Sequence, residues 1–205
     1  MFITFEGLDF SGKSTQAKLL YEYLKKHKVK CILLREPGGT AISEKVREII
    51  LDREHIEMTP LTEFMLFSAS RSQLVSQVIK PHLKKGYVVI CDRYYDSSIA
   101  YQSFGGKMEL NHVLQVNNIA AGGLVPDITF LIEITPKAAF ARASSRRNSK
   151  DRMENKNTAF YNKVYKGFKE IAAKNRKRYT VINGTLSIDR IHNIIISIVN
   201  KKLSK

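Results

Sequence analysis

The strongest chemical signal lies near the start of the chain. Gly7-Leu8-Asp9-Phe10-Ser11-Gly12-Lys13-Ser14 fits the pattern G-x-x-x-x-G-K-[ST] at every fixed position, and Thr15 follows it. Such a run cradles phosphate when a strand feeds it and a helix leaves it. Residues 1–5 are apolar and short enough for a buried strand, and Ala17, Leu19, Leu20, Tyr21 and Leu24 fall at helical spacing. Glycine at 7 and 12 lets the backbone turn its N–H groups toward an anion, and the helix adds its N-terminal partial charge. Lys13 can then reach the β- and γ-phosphates, and Ser14 can hold Mg²⁺ through its hydroxyl. A chance glycine turn is the competing explanation. At ordinary residue frequencies such a match arises in about one chain in a hundred of this length, so the pattern predicts a nucleoside-triphosphate site.

Three further groups could serve such a site. Asp92-Arg93 closes the apolar run 87–91 and puts an acid where it can support the Mg²⁺ shell, with a guanidinium fork suited to phosphate beside it. An ordinary strand-end salt bridge would look the same. Phe67 and Arg71 stand four apart on one helix face. An aromatic plane beside a planar cation suits a nucleobase, although Phe67 alone reads more simply as core. Ser97 with Tyr101, and Ser98 with Gln102, share faces just after Asp92-Arg93 and read as a pocket lining.

Five segments, 1–5, 31–34, 87–91, 128–134 and 179–182, read as short buried strands separated by amphipathic helices. The alternation predicts an α/β fold, a five-stranded, mostly parallel sheet with helices on both faces. Ligands of such sheets sit beyond the carboxyl ends of the strands. The polar residues there are Glu6 to Ser14, Arg35-Glu36-Pro37-Gly38-Gly39, Asp92-Arg93-Tyr94 and Thr135-Pro136. Thr59-Pro60 opens a long helix with a bend expected near Pro81, and the last helix starts near Ser187. One domain is expected, with a mobile lid at about 142–157, where apolar periodicity stops.

Composition agrees with a soluble globular chain: 205 residues, 43% hydrophobic and 26% charged. No run of about 18 apolar residues suggests a membrane span, and no cleaved signal peptide is expected. Cys31 and Cys91 read as free thiols of a reducing cytoplasm. The net charge of +15 raises nucleic-acid binding as a rival function. Most basic runs, however, close helices, where the dipole and solvation favour lysine. They read as solvated surface, with only the 142–152 cluster and isolated arginines left for ligand chemistry. The five histidines lack metal-ligand spacing.

Taken together, Phe5-Glu-Gly…Gly-Lys-Ser-Thr15, Arg35-Glu-Pro-Gly-Gly39, Leu66-Phe-x-Ala-x-x-Arg71, Asp92-Arg-Tyr…Asp96-Ser-Ser…Ala100-Tyr-Gln102, Gly123-Leu-x-Pro-Asp127 and Asp151-Arg-Met-Glu154 resemble the bacterial thymidylate kinases, within the P-loop nucleoside-monophosphate kinases. The resemblance covers nearly the whole chain and implies transfer of the γ-phosphoryl group of ATP to dTMP, with Mg²⁺, in a cytoplasmic homodimer. It implies no nucleic-acid or membrane partner. ATP would be held by Gly7, Leu8, Asp9, Phe10, Ser11, Gly12, Lys13, Ser14 and Thr15 together with Arg142, and the metal by Ser14 and Asp92. Phe67 would stack on thymine, with Arg71 and Gln102 reading its edge and Ser97 and Ser98 nearby. Tyr101 would crowd C2′ of the sugar. Asp9 would approach the sugar 3′-hydroxyl, the monophosphate or its metal. Arg93 and Arg47 would hold the acceptor phosphate, and a cis Glu36-Pro37 bond would turn Glu36 toward the acceptor site. Phe10 departs from the family, where many relatives carry glycine and another type a basic residue. The transferring phosphoryl group would then rely on a lid arginine, Arg147 first, with Arg146 and Arg152 behind it. Catalysis is thus assigned to Lys13, Arg93, Arg147 and Asp9. A deoxynucleoside kinase with Glu36 as base, or a monophosphate kinase of other base preference, is the alternative.

Overall fold

The computed structural model describes residues 1–144 and 157–204. The strands are β1 (Phe2–Glu6), β2 (Cys31–Arg35), β3 (Val88–Asp92), β4 (Ile128–Glu133) and β5 (Tyr179–Asn183). Among the described residues they form one parallel sheet in the order β2-β3-β1-β4-β5. Every strand lies within one residue of its expected position. Register pairs Phe5 and Arg35 each with Asp92, so the polar strand ends meet at one edge.

Period-2 alternation sends successive side chains to opposite faces. Ile3 and Phe5 of β1, Ile90 of β3 and Phe130 and Ile132 of β4 pack under α1 (Lys13–Lys26) and α9 (Ile188–Leu203) through Ala17, Leu20, Leu24, Ile191, Ile195 and Val199. The other face carries Phe2, Val89 and Cys91 against Leu74, Val75, Ile79 and Tyr94. It also carries Leu131 against Phe64, Val113, Val164 and Phe168. The same alternation puts Thr4, Glu6 and Thr129 on this second face, in a layer that is polar rather than apolar. Thr4 and Thr129 hydrogen-bond at 2.8 Å. β2 departs from the expectation of burial: it is half-exposed because it forms the sheet edge.

The second face is covered by α2 (Ala41–Leu51), α3 (Pro60–Leu74), α5 (Tyr95–Ser98), α6 (Leu110–Ala121), α7 (Pro136–Ser144) and α8 (Thr158–Lys174). The bend expected near Pro81 is taken up one turn earlier, where Val75–Ile79 is π-helical between α3 and α4 (Lys80–Lys84). Pro81 has no N–H, and its ring would meet the Gln77 carbonyl in a regular helix, so a widened turn precedes it. α5 likewise runs on as a π-helical stretch, Ile99–Gly105, that carries Tyr101 and Gln102. The lid expected at about 142–157 falls mostly outside the described residues. Arg142 belongs to α7, and Asn157 caps α8 by accepting from Phe160 N. Arg146, Arg147 and Arg152 lie outside the described residues.

Candidate active site

The phosphate loop leaves β1 at Glu6 and enters α1 at Lys13. Gly7 (φ 139°) and Gly12 (φ 97°) need backbone angles that side chains disfavour, and a Cβ on Gly7 would stand 2.6 Å from the Ile132 carbonyl oxygen. Phe10 adopts φ 62°, a left-handed conformation that costs a non-glycine residue about 1–2 kcal/mol. This is a physical reason for glycine to suit the position. Leu8 can serve the loop only through its backbone: its side chain is buried in the core, and its carbonyl accepts from Ser11 N–H at 3.2 Å and Lys13 Nζ at 3.4 Å. Ser14 and Thr15 are exposed in the first turn of α1. Arg142 braces the loop, donating to the Phe10 and Ser11 carbonyls at 3.2 Å each and to Gly184 at 2.7 Å. The crevice over this loop is closed by Gly184, Leu186 and Ile188 after β5. Sequence reasoning missed these three, because nothing marks a loop lining made of small and aliphatic residues.

A second cavity opens beside the loop, and all ten residues assigned to the acceptor line it: Glu36, Pro37, Arg47, Phe67, Arg71, Arg93, Ser97, Ser98, Tyr101 and Gln102. Leu51 and Tyr94 join them without having been foreseen. Phe67 is half-buried and faces this cavity rather than the core. Arg71, 2% exposed, is held from three sides: Nε donates to Glu36 Oε2 at 2.7 Å, Nη1 to Asn117 Oδ1 at 2.9 Å and Nη2 to Ser98 Oγ at 3.1 Å. Such a guanidinium loses no freedom when a ligand carbonyl arrives. Glu36 follows β2, precedes a cis bond to Pro37 and is buried at the cavity wall. Burial pushes its carboxyl up to about 7 despite Arg71. Gln102 Nε2 donates to Glu63 Oε1 at 3.0 Å, and Arg47 Nη1 to the Pro37 carbonyl at 2.9 Å.

The two cavities meet at Asp9, which lines both. Its Oδ1 takes Arg93 Nη2 at 2.5 Å and lies 3.7 Å from Lys13 Nζ, while Oδ2 accepts from the Tyr101 hydroxyl at 3.0 Å. Burial alone would raise this carboxyl. Arg93, Lys13 and Tyr101 outweigh burial and hold it at about 2. Burial and the Arg93 charge lower the Lys13 ammonium, with the nearby carboxylates opposing them. Arg93 itself sits at φ 72° and donates to the Gly7 carbonyl at 3.1 Å and to Ser97 Oγ at 2.9 Å. Ser97 in turn donates to Glu6 Oε2 at 2.5 Å, and Glu6 Oε1 accepts from Tyr94 N–H at 2.8 Å. Glu6 is fully buried; burial and the nearby Asp96 push it up to about 8. Ser97 thus supports Arg93. Glu6 was visible as an acid at a strand end, but only the fold brings Ser97 to it.

The arrangement fits a metal that a nucleotide would bring. Asp92 Oδ1 is buried without a hydrogen-bond partner, and its charge acts on Lys13 and Arg93. The Ser14 hydroxyl is exposed in the crevice. Among the described residues no cluster of three or more His, Cys, Asp or Glu could hold a metal by itself. Mg²⁺ with one or two protein oxygens, phosphates and waters matches that donor set.

The family model described as thymidylate kinase matches residues 5–195. The chain belongs to the thymidylate kinase family. The thymidylate kinase of Caldanaerobacter subterraneus is 44% identical over 202 residues, covering 98% of this chain and 96% of that protein. That of an Exiguobacterium species is 42% identical over 205 residues, covering 100% and 96%. A crystal structure of the thymidylate kinase from Ehrlichia chaffeensis superposes with a TM-score of 0.79 at 35% identity, covering 98% of each chain. The five-stranded parallel sheet of this thymidylate kinase family member is therefore of the P-loop nucleoside-monophosphate kinase type.

Proposed function

We propose that the protein transfers the γ-phosphoryl group of ATP to dTMP, giving ADP and dTDP. The carrying observation is the junction at Asp9, where Arg93 and Lys13 lie between the phosphate-loop crevice and a cavity walled by Phe67 and Arg71. ATP phosphates lie along the loop N–H groups and Lys13. Thymine stacks on Phe67, Arg71 and Gln102 read its edge, and Tyr101 fills the space at C2′. Arg93 and Arg47 take the acceptor phosphate. Ser14 and Asp92 would hold Mg²⁺, which would supply neutralisation of phosphate charge. An acceptor phosphate is already a nucleophile and needs no general base, so positioning and charge stabilisation carry the rate. Arg147 supplies further positive charge from the segment after α7.

A nucleoside kinase would need a carboxylate base. Asp9, held at about 2 and tied to Arg93 and Tyr101, is too weak a base. Glu36, pushed up to about 7, commits Oε2 to Arg71 and leaves Oε1 unpaired. The choice of acceptor therefore rests on the Arg93 and Lys13 charges at the junction, which suit a phosphate rather than a neutral 5′-hydroxyl. We assign the reaction to the cytoplasm, in line with the free thiols Cys31 and Cys91; among the described residues no helix is long and apolar enough to cross a membrane. We also assign a homodimer, joined through neighbouring α2, α3 and α6, which expose Ile42, Ile49, Met65 and Ile119. Turnover with dTMP, dUMP, UMP and CMP at matched concentrations tests the base and sugar assignment. The reading predicts dTMP first and the ribonucleotides last; preference for UMP or CMP would overturn it.

A further inference from the structure

The basic runs that sequence alone scatters over the chain are gathered by the fold onto one edge. In a parallel sheet every strand begins at the same edge, and the returning helices end there. Lys25 and Lys26 close α1, and Lys28 and Lys30 lead into β2, all exposed. Lys84 and Lys85, exposed, precede β3, and the Lys30 carbonyl accepts from Val88 N–H at 2.8 Å, joining these two groups. Lys174, Arg176 and Lys177, exposed, precede β5, and the Arg178 carbonyl accepts from Thr129 N–H at 2.7 Å. Lys201 and Lys202 end α9, where Asn200 Nδ2 donates to the Tyr23 hydroxyl of α1 at 2.8 Å and Lys202 Nζ to the Asp127 carbonyl at 3.3 Å. Hydrogen bonds thus tie these segments into one edge. The Asp127 carboxylate there accepts from Phe2 N–H at 2.7 Å; Glu22 and Glu170 stand one turn before the ends of α1 and α8.

We propose that this edge is a docking surface for the sugar–phosphate backbone of a nucleic acid, bound without base readout. Five strands about 4.8 Å apart span about 19 Å, a length of duplex that carries about eleven phosphate charges at one per 1.7 Å. Among the described residues the large exposed apolar side chains near this edge are Ile119 in the last turn of α6, Val125 and Leu203, too few for insertion into a lipid surface, which favours nucleic acid over a membrane. The catalytic crevice opens at the opposite strand ends, so docking leaves it accessible. The surface goes beyond the proposed kinase reaction and does not depend on it.

The test is fluorescence anisotropy of a labelled 20-base-pair duplex between 50 and 200 mM salt. Lys30→Glu/Lys85→Glu/Lys177→Glu, one change in each of three of the four groups, is set against Lys107→Glu/Lys163→Glu/Lys166→Glu, also exposed and equal in charge change but placed elsewhere. The edge variant should bind at least about tenfold more weakly, with a salt slope smaller by about 2–3, while the control stays within about threefold of the parent. Both variants should keep parent dTMP turnover and parent thermal midpoints within a few degrees. Equal losses in the two variants would mean that net charge alone matters, and would overturn the proposal. So would no binding at 50 mM salt, competition of the duplex with ATP or dTMP, or an edge-variant loss seen only on phosphatidylserine vesicles.

Discussion

Replacing Asp9 with asparagine separates two roles that one carboxylate could play. The side chain keeps its shape, while the charge between Arg93 at 2.5 Å and Lys13 at 3.7 Å disappears. Asp9 is held at about 2 against an ordinary 3.8, a difference that corresponds to about 2 kcal/mol of folding stability. Its side chain is 25% exposed, so solvent screens this only in part. Because the folded value is depressed, the contribution is present in full above the unfolded value and is lost as pH falls through about 2. Urea unfolding at pH 7, 5 and 3.5 should therefore show a gap between parent and Asp9→Asn of about 2 kcal/mol that begins to narrow only at the lowest pH. In catalysis the same change releases the Arg93 fork. A lost charge-assisted hydrogen bond of about 1.5–3 kcal/mol predicts a fall in kcat of about 10–150-fold. KM for dTMP should not rise, since removing a negative charge leaves Arg93 more attractive to phosphate. A tenfold rise in KM with unchanged kcat would refute positioning and make Asp9 a direct ligand of the nucleotide.

Glu6→Gln probes the support behind Arg93. The folded carboxyl keeps its proton to about 8 while an ordinary one loses it at 4.5, so Glu6 lowers the parent's stability as pH rises through that window, by about 3–5 kcal/mol in total. Thermal midpoints from pH 5 to 8.5 should fall less steeply in the variant, and parallel curves would contradict the assignment. Tyr101 is packed edge-on to Phe160, Tyr161 and Phe168 and is 6% exposed, so Tyr101→Ala should cost about 3–5 kcal/mol of stability. The readout is therefore a ratio: preference for dTMP over ribothymidylate should fall about 5–150-fold in Tyr101→Ala and stay level in Tyr101→Phe, and an unchanged ratio in both would remove Tyr101 from sugar selection. Arg147→Ala should lower turnover about 10³–10⁵-fold with little change in dTMP binding; turnover within a few-fold of the parent would leave the phosphoryl charge to Lys13 and Arg93.

The strands were legible because a buried parallel sheet writes itself as short apolar runs, and the phosphate loop because its glycines and lysine are fixed by backbone geometry. The lining of the second cavity was legible through Phe67, Arg71 and the Ser97–Gln102 stretch, whose spacing defines shared helix faces. Distances between segments were not. Nothing local links Glu6 to Ser97 or Arg71 to Asn117, because sheet order and the packing of α3 on α6 bring those pairs together. The burial of the Leu8 side chain was hidden for a related reason: a pattern treats every loop position alike, whereas one side chain of this loop points into the core. The charged edge was invisible because residues 25–30, 84–85, 174–177 and 201–202 become neighbours only when parallel strands align their starts.

The central claim is that the acceptor is a nucleoside monophosphate whose phosphate meets Arg93 beside the ATP loop. Incubating the protein with ATP, Mg²⁺ and an equimolar mixture of dTMP and thymidine, and following products by chromatography, tests it directly. The account predicts dTDP appearing in step with ADP while thymidine stays untouched. Consumption of thymidine with dTMP accumulating would contradict it, and would move the reaction to the 5′-hydroxyl and a carboxylate base.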